Sequence, residues 1–236
     1  MEPGVLQATD WGFILANWQT LLLGVAVTVL LTVTSLTLGF ALGFPSGAIE
    51  VYGDGWLANA VSTAGVLLRG TPIVVLIMTI LFGLPIPRLG TVPVIDMKLN
   101  AFVAATLALG LRSAAYQGQV FRGSIQSISE GHLEAARSVG MTKLQAIRHV
   151  VFPQAIRRSL PGFQNEFTIV LKDTSIAFAI GLGELLKRSY DLMFSQTTAA
   201  LELFLAISLV YFVLTFTTNR ALDILSSRFA IPGGDD

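Results

Sequence analysis

Three scarcities narrow what this chain can be. It contains no cysteine, which excludes a disulfide framework, a thiolate nucleophile and a cysteine-based metal site. Its two histidines, His132 and His149, are too few for a histidine-rich metal site. Charged residues make up 13% of the chain and hydrophobic residues 53%, whereas about a quarter of a soluble domain is charged. Together with a mean hydropathy of +0.70, this composition indicates a membrane protein.

Basic residues are missing from the N-terminal part of the chain, where the first lysine or arginine is Arg69. A secretory signal needs a basic region before its apolar core. We therefore expect the N-terminal segment to be retained, with Glu2 and Asp10 on one side of the bilayer. The 15 basic and 15 acidic residues balance, so the net charge gives no indication of nucleic-acid binding.

Familiar catalytic patterns are missing as well. The chain has no Gly-x-Ser-x-Gly, no His-Glu-x-x-His and no Gly-Lys-Ser or Gly-Lys-Thr phosphate loop. Without paired catalytic groups an intramembrane enzyme is disfavoured. We expect a chain that is not an enzyme and that carries no metal or other cofactor of its own.

Five hydrophobic segments are expected to cross the membrane. They run from Trp11 to Ile49, Leu57 to Leu84, Asn100 to Phe121, within Pro161 to Leu186, and from Leu203 to Asn219. The first has no charge and far exceeds the roughly 20 apolar residues that cross about 30 Å of hydrocarbon. The helix of the second either begins near Arg69 and is short, or begins near Leu57 and is kinked at Pro72. The fourth is weaker, because Lys172-Asp173 and Gly181-x-Gly183 interrupt it.

The segment Arg122 to Ser159 has a different character, with six basic residues against two glutamates and little continuous apolar length. Because lysine and arginine concentrate in cytoplasmic loops, we expect this segment to lie inside. Five spans then put the N-terminus outside and the C-terminal tail, with Arg220 and Arg228, inside. The loop Pro45 to Trp56 is an exception to the trend, because it should also be cytoplasmic but carries only acidic charges.

Within this basic segment the stretch "EAARSVGMTKLQAIRHVVFP" predicts an elbow of two short helices. Glu134 to Val139 forms the first, Gly140 supplies a turn, and Met141 to Val151 forms a second helix stopped by Pro153. Such a projection suits docking into a groove of another protein, or it is an amphipathic helix lying on lipid. Met141 and Phe152 are expected to pack the elbow.

The elbow resembles the EAA loop of permease subunits of ATP-binding-cassette (ABC) importers. That loop reads Glu-Ala-Ala, three residues, glycine, nine residues, isoleucine, one residue and Leu-Pro, and here the spacing is kept with Val150 and Phe152 as the two apolar residues. Four stretches in order are similar to the polar amino acid permeases: "LLRGTPIVVLIMTILFGLP", "AAYQGQVFRGSIQSISEGHLEAARSVGM", "FPQAIRRSLPGFQNEF" and "LKDTSIAF". The similarity covers roughly Leu21 to Arg220.

The resemblance implies an all-α integral membrane protein with the type I ABC importer permease fold, forming one permease domain over residues 1–236. Its implied partners are a dimer of cytoplasmic ATPase subunits, a second permease that is either a copy or a homologue, and an extracytoplasmic solute-binding protein. ATP and Mg²⁺ would be bound by the ATPase subunits. The loop at about 122–159 would carry the coupling helix that transmits ATPase closure to the transmembrane path.

The resemblance also gives a role to the elbow's motif residues. Glu134, Ala135, Ala136 and Gly140 are expected to form the coupling contact, with Glu134 against the ATPase surface and Gly140 at the turn. A simpler reading of Glu134 is an acid that stabilises a helix N-terminus, a contribution of about 0.3 to 1 kcal/mol. Three basic residues of the elbow equally form a solvated or lipid-headgroup face: Arg137, Lys143 and Arg148.

Arg112 is the residue that bears most on the transported solute. An ionisable group in the middle of a span is expensive unless it faces a cavity or a partner charge. We expect Arg112, helped by Tyr116 and by Gln117 or Gln119, to contact a substrate carboxylate. The alternative is a structural ion pair between Arg112 and an acid of the fourth span, namely Glu166, Asp173 or Glu184. Lys172 and Asp173 are expected to pair with each other or with a neighbouring helix.

The cargo indicated by the resemblance is an amino acid with a polar or charged side chain. Many members of the family carry an acid where Gln119 stands, and its absence together with Arg112 favours glutamate or glutamine. Two alternatives remain at this stage: a permease for another small solute, such as methionine or an opine, and a passive channel, for which a coupling loop would have no use.

Overall fold

The computed structural model describes residues 10–86, 89–128 and 130–227, and nearly all of these residues are helical. Glu2 and Arg228, which entered the topology prediction, lie outside the described residues. The helices are α1 (Trp11–Ala16), α2 (Trp18–Tyr52), α3 (Gly55–Gly70), α4 (Ile73–Gly83), α5 (Leu99–Gln126), α6 (Glu130–Ser138), α7 (Lys143–Ala146), α8 (Phe152–Asp173), α9 (Leu185–Ser195) and α10 (Ala200–Ser227). A small antiparallel hairpin, β1 (Thr91–Val92) and β2 (Met97–Lys98), precedes α5.

The centre of the fold is the close packing of α2 against α5. Three glycines spaced four residues apart on α2, Gly39, Gly43 and Gly47, face α5 and are buried. A Cβ at Gly43 would lie 2.6 Å from the carbonyl oxygen of Ala114, and a Cβ at Gly47 would lie 2.5 Å from that of Gly118. Only glycine lets the two backbones approach this closely. Helices in a membrane gain little from excluding water, so close packing at small residues is a main source of their association.

The first predicted span is two helices rather than one. The chain breaks at Asn17, whose side-chain amide donates to the carbonyl oxygen of Phe13 at 2.9 Å. Helix α2 then continues to Tyr52 with Pro45 inside it. The stretch predicted as a loop from Pro45 onward is therefore helical over most of its length. The turns of α2 beyond Pro45 pack against α5, where Gly47 lies against the backbone of Gly118 and Glu50 pairs with Arg122.

The second hydrophobic segment combines the two alternatives left open by its sequence. Helix α3 begins at Gly55 and ends at Gly70, and α4 begins at Ile73, so a helix starts at each predicted place. The two axes meet at 106°, which is a sharp break and not a kink. Thr71 and Pro72 have extended backbone angles, because the residue before a proline is driven out of the helical region.

Among the described residues, three helices are long and apolar enough to cross a membrane: Trp18–Tyr52, Leu99–Gln126 and Thr197–Ile224. The bent pair α3 and α4 provides a fourth crossing if it is one span. Helix α8, predicted as the weak fourth span, is continuous from Phe152 to Asp173 but does not meet the same criterion. Its charged residues explain this result: Arg157, Arg158, Glu166, Lys172 and Asp173.

The elbow has its predicted turn but not its predicted end. Helix α6 ends at Ser138, and Gly140 adopts a φ of 90°, a left-handed conformation that glycine tolerates. The expectation that Pro153 stops the second helix is wrong. A π-helical turn, Ile147–Val151, leads directly into α8, and Pro153 occupies its first turn. Inside a continuous helix a proline lacks the N–H donor and its ring clashes with the preceding turn. The π turn directly before Pro153 is wider than an α turn, and such local widening is how a helix accommodates a defect of this kind.

Candidate functional site

The described structure pairs the mid-span arginine with an acid. Arg112 lies midway along α5, and its Nη1 donates to Asp173 Oδ2 at the end of α8 over 2.6 Å. Both side chains keep some exposure, 20% for Arg112 and 24% for Asp173. The guanidinium also stands over the ring of Tyr116, 5.5 Å from its centroid, within the range of a cation–π contact. Lys172 and Asp173 were predicted to pair with each other or with a neighbouring helix, and Asp173 pairs with the neighbouring helix α5.

This ion pair borders a cavity of about 410 Å³. The remaining walls come from the break between α3 and α4 and from the helix ends beside it: Arg69, Gly70, Thr71, Pro72 and Ile73. Arg69 is held in place because its Nη1 donates to the carbonyl oxygen of Ala115 at 2.8 Å. The N-terminus of α4 begins at Ile73 on the same wall and adds a partial positive charge. Two guanidinium groups and a helix N-terminus thus surround one cavity.

A second acid accompanies the ion pair. Glu166 on α8 is 5% exposed, and it interacts with Ser113 and with Arg112. Buried carboxylates persist where they are paired or hydrogen-bonded. The centre of the α5 and α8 contact therefore holds basic and acidic groups side by side, an arrangement that fits a ligand carrying both charges.

The two glutamines predicted to assist Arg112 lie elsewhere. Gln117 is buried, donates to Ser113 Oγ at 2.9 Å and lines a different, mostly apolar cavity of about 370 Å³. Gln119 Nε2 donates to Glu50 Oε2 at 3.4 Å, and seven helical residues put it about 10 Å along the axis from Arg112. Of the three predicted helpers, only Tyr116 contacts Arg112. A role of Gln119 in the choice of cargo stays a prediction.

Glu50 explains why the acidic stretch after Pro45 departs from the charge trend. Its carboxylate is only 5% exposed and accepts a hydrogen bond from Arg122 Nη1 at 2.8 Å. Arg122 is the first residue of the basic segment, so the acid and the base neutralise each other at one end of the bundle. Sequence reasoning missed this pair, because the partners are 72 residues apart and nothing local links them.

The elbow displays most of its motif residues. Glu134 and Ala135 are exposed, whereas Ala136 is 6% exposed and lies on a helix that packs against the second half of the elbow. Gly140 is exposed, and its surroundings are open within 4 Å. The four residues predicted to act together thus divide into two that project outward, one that anchors the helix and one that turns the chain.

Two further features of the elbow have a signal in the sequence that the prediction did not include. Thr142 and Gln145 form a capping box, in which Thr142 Oγ1 accepts from the Gln145 backbone N–H at 3.3 Å and Gln145 Oε1 accepts from the Thr142 N–H at 2.9 Å. The spacing threonine, two residues, glutamine is its sequence signature. Val139 and Leu144 flank the turn and are each 75% exposed, so the tip of the elbow is an apolar surface within a charged loop.

A bundle of apolar helices with a charged cavity beside the middle of α5 and a polar elbow at one end fits a membrane transport subunit. A model of the family described as binding-protein-dependent transport system inner membrane component matches residues 35–231. The chain belongs to this family.

Individual relatives agree in length and fold. The glutamine transport system permease protein GlnP of Escherichia coli K12 is 33% identical over 223 residues, covering 94% of this chain and 98% of GlnP. The nopaline transport system permease protein NocM of Agrobacterium fabrum is 32% identical over 213 residues, covering 89% and 88%. A crystal structure of an amino acid ABC transporter with histidines superposes with a TM-score of 0.81 at 31% identity, covering 94% of this chain and 100% of that chain.

Proposed function

We propose that this chain is the permease subunit of an ABC importer that moves polar amino acids across the plasma (inner) membrane. The observation that carries the proposal is the cavity beside the middle of α5, which is lined by Arg69 and by the ion pair of Arg112 and Asp173. The buried Glu166 lies next to this pair and interacts with Arg112. An amino acid presents a carboxylate and an ammonium group a few ångströms apart. A site with fixed groups of both signs is complementary to such a zwitterion.

In this proposal Arg112 binds the substrate carboxylate, exchanging part of its contact with Asp173 for the ligand. The carboxylate of Asp173, which lines the cavity, is then available to the ammonium group. The start of α4 at Ile73 contributes a helix N-terminus to the anionic side of the site, as broken helices do in other transporters. Relatives that transport glutamine and other amino acids support this cargo class, and glutamine or glutamate is the first cargo to test.

The proposed topology has five spans, with the N-terminus outside and the elbow and C-terminus in the cytoplasm. Helix α8 is counted as a span although its composition is polar, because Glu166 and Asp173 are turned toward α5 and away from lipid. The charged segment that follows α5 sets the orientation. The proposed assembly pairs this permease with a second copy or a homologue, with two ATPase subunits and with a solute-binding protein.

The proposed coupling surface is the outward face of the elbow. Glu134 projects into solvent, and the exposed apolar residues Val139 and Leu144 flank the turn at Gly140. An apolar tip with a charged rim suits a groove on a protein partner. ATP and Mg²⁺ are held by the ATPase subunits, whose closure moves the elbow and opens the path to the cavity.

The cargo proposal is tested by uptake into proteoliposomes that contain the assembled transporter, with ATP inside and binding protein outside. Arg112→Ala is expected to raise the KM for the transported amino acid about 10- to 100-fold, because a charge-assisted bond of about 1.5 to 3 kcal/mol is lost. Arg220→Ala is the matched control, since it removes an exposed arginine of α10 that does not line the cavity. If Arg112→Ala leaves the KM unchanged and lowers the melting temperature, Arg112 does not bind the substrate and its ion pair with Asp173 is structural.

A second candidate cargo is an opine, an amino acid derivative with additional carboxylates. The nopaline permease is nearly as similar to this chain as the glutamine permease, and two arginines border the cavity. The uptake screen therefore includes nopaline beside the common amino acids. ATP-dependent uptake of nopaline alone would replace glutamine as the cargo.

A further inference from the structure

We propose that Phe152 is a positioning residue that transmits movement of the elbow to α2 and α5 through an aromatic cluster. The inference rests on the proposed function, because it assumes that an ATPase moves the elbow. It adds a specific mechanical contact that the motif of the elbow does not contain.

Phe152 is the first residue of α8, directly after the π turn of the elbow. Its ring meets Phe44 of α2 edge to face, with centroids 4.6 Å apart and planes at 85°. It meets Phe121 of α5 in the same way at 5.9 Å and 78°. Phe44 and Phe121 are themselves in contact, with centroids 3.7 Å apart. Three rings from three helices thus form one cluster, and such pairs have directional preferences that aliphatic contacts lack.

The two helices that receive this contact are held together along their length. Phe44 lies between Gly43 and Gly47, the positions where α2 touches the backbone of α5. The Glu50–Arg122 ion pair fastens the same helices at the end next to the elbow. A push on Phe44 or Phe121 therefore acts on α2 and α5 as one body, and α5 carries Arg112 at mid-span.

The side chain at position 152 is also a departure from the motif that the elbow resembles, in which leucine precedes the proline. Leucine fills volume but offers no ring edge to Phe44 or Phe121. Phe152 remains 37% exposed, so burial alone does not account for a large aromatic side chain here. Its specific contribution is the edge-to-face contact with the rings of Phe44 and Phe121.

The absence of cysteine allows a direct test, because a single introduced cysteine is labelled without background. Leu30→Cys on α2 is 41% exposed and lies 14 residues before Phe44, about 21 Å along the helix axis, so the label reports on α2 at a distance from the elbow. An environment-sensitive fluorophore at this position reports on α2 in the full complex of permease and ATPase. The signal is the fluorescence change on trapping the ATPase with ATP and vanadate.

Phe152→Leu is expected to reduce this change about fivefold or more, because two aromatic contacts of at least about 0.5 kcal/mol each are lost. Phe152→Tyr keeps the ring at a position that is 37% exposed, so it should retain the wild-type change. Phe216→Leu is the matched control, because Phe216 stacks on Phe212 at 5.8 Å and is 60% exposed on α10. The double variant Phe44→Leu with Phe152→Leu should be no worse than Phe152→Leu alone.

The outcomes separate the two proposals. If no ATPase binds the wild-type chain, the proposed function fails and this inference fails with it. If the ATPase binds and the label responds equally in wild type and Phe152→Leu, only the role of Phe152 is overturned. A parallel loss of signal and melting temperature in Phe152→Leu, with no rescue by Phe152→Tyr, would also overturn it, because packing alone predicts that result.

Discussion

Gly47→Ala should separate the two central helices, because the added methyl group has no space. Its carbon would lie 2.5 Å from the carbonyl oxygen of Gly118 and 3.1 Å from the backbone nitrogen of Arg122, whereas ordinary contacts begin at 3.4 Å. Both neighbours are backbone atoms of α5, so neither can rotate away. Overpacking of this kind destabilises by about 1 to 3 kcal/mol. At about 2 to 4 °C per kcal/mol for a chain of this size, the melting temperature should fall by about 2 to 12 °C.

The matched control for this change is Gly123→Ala on α5, where nothing lies within 4 Å of the new methyl group. Alanine is preferred over glycine within a helix by about 0.5 to 1 kcal/mol, so this variant should melt at or slightly above the wild-type temperature. The assay is the fraction of detergent-purified protein that stays monodisperse on size-exclusion chromatography after heating. Gly47→Ala with wild-type stability would refute the close packing of α2 and α5.

Three other variants follow from single contacts. Thr142→Ala removes a capping box worth about 1 kcal/mol, so amide exchange in the elbow should accelerate about fivefold while α2 is unaffected. Glu184 is fully buried, caps α9 and accepts a hydrogen bond from the Tyr211 hydroxyl at 3.1 Å. Tyr211→Phe should therefore destabilise the protein by about 1 kcal/mol, and Glu184→Ala by more. Equal melting temperatures of the two variants would contradict this order. Arg188→Ala removes donors to carbonyl oxygens of Gly183 and the 93–95 turn, so exchange should rise in the β1–β2 hairpin and not in the elbow.

Sequence reasoning works here where the determining interactions are local. Long apolar stretches predict α2, α5 and α10, although Arg112 interrupts the stretch of α5, because each helix satisfies its own backbone within lipid. The turn at Gly140 is similarly local, since it depends on one residue's conformational freedom. The capping box of Thr142 and Gln145 is also a local interaction, and the spacing of the two residues is its sequence signature.

The remaining features depend on partners that are distant in sequence. Glu50 and Gln119 are 69 residues apart. Arg112 and Asp173 are 61 residues apart, and the sequence offered Asp173 only as one of three candidate acids. Helical periodicity put Gln119 on the side of Arg112 but could not show that Glu50 would be its partner. Pro153 reads as a helix stop in any local rule, and only the preceding π turn makes the helix continuous.

The central claim is that the elbow couples an ATPase to amino acid transport, and ATPase activity of the assembled complex tests it most directly. Activity is measured with binding protein and each common amino acid, in wild type and in Glu134→Lys. Asp191→Lys is the control, because it reverses an exposed acid on α9, away from the elbow. We predict stimulation by one amino acid that is lost in Glu134→Lys and kept in Asp191→Lys. Failure of an ATPase to bind, or activity indifferent to both amino acid and mutation, would contradict the account.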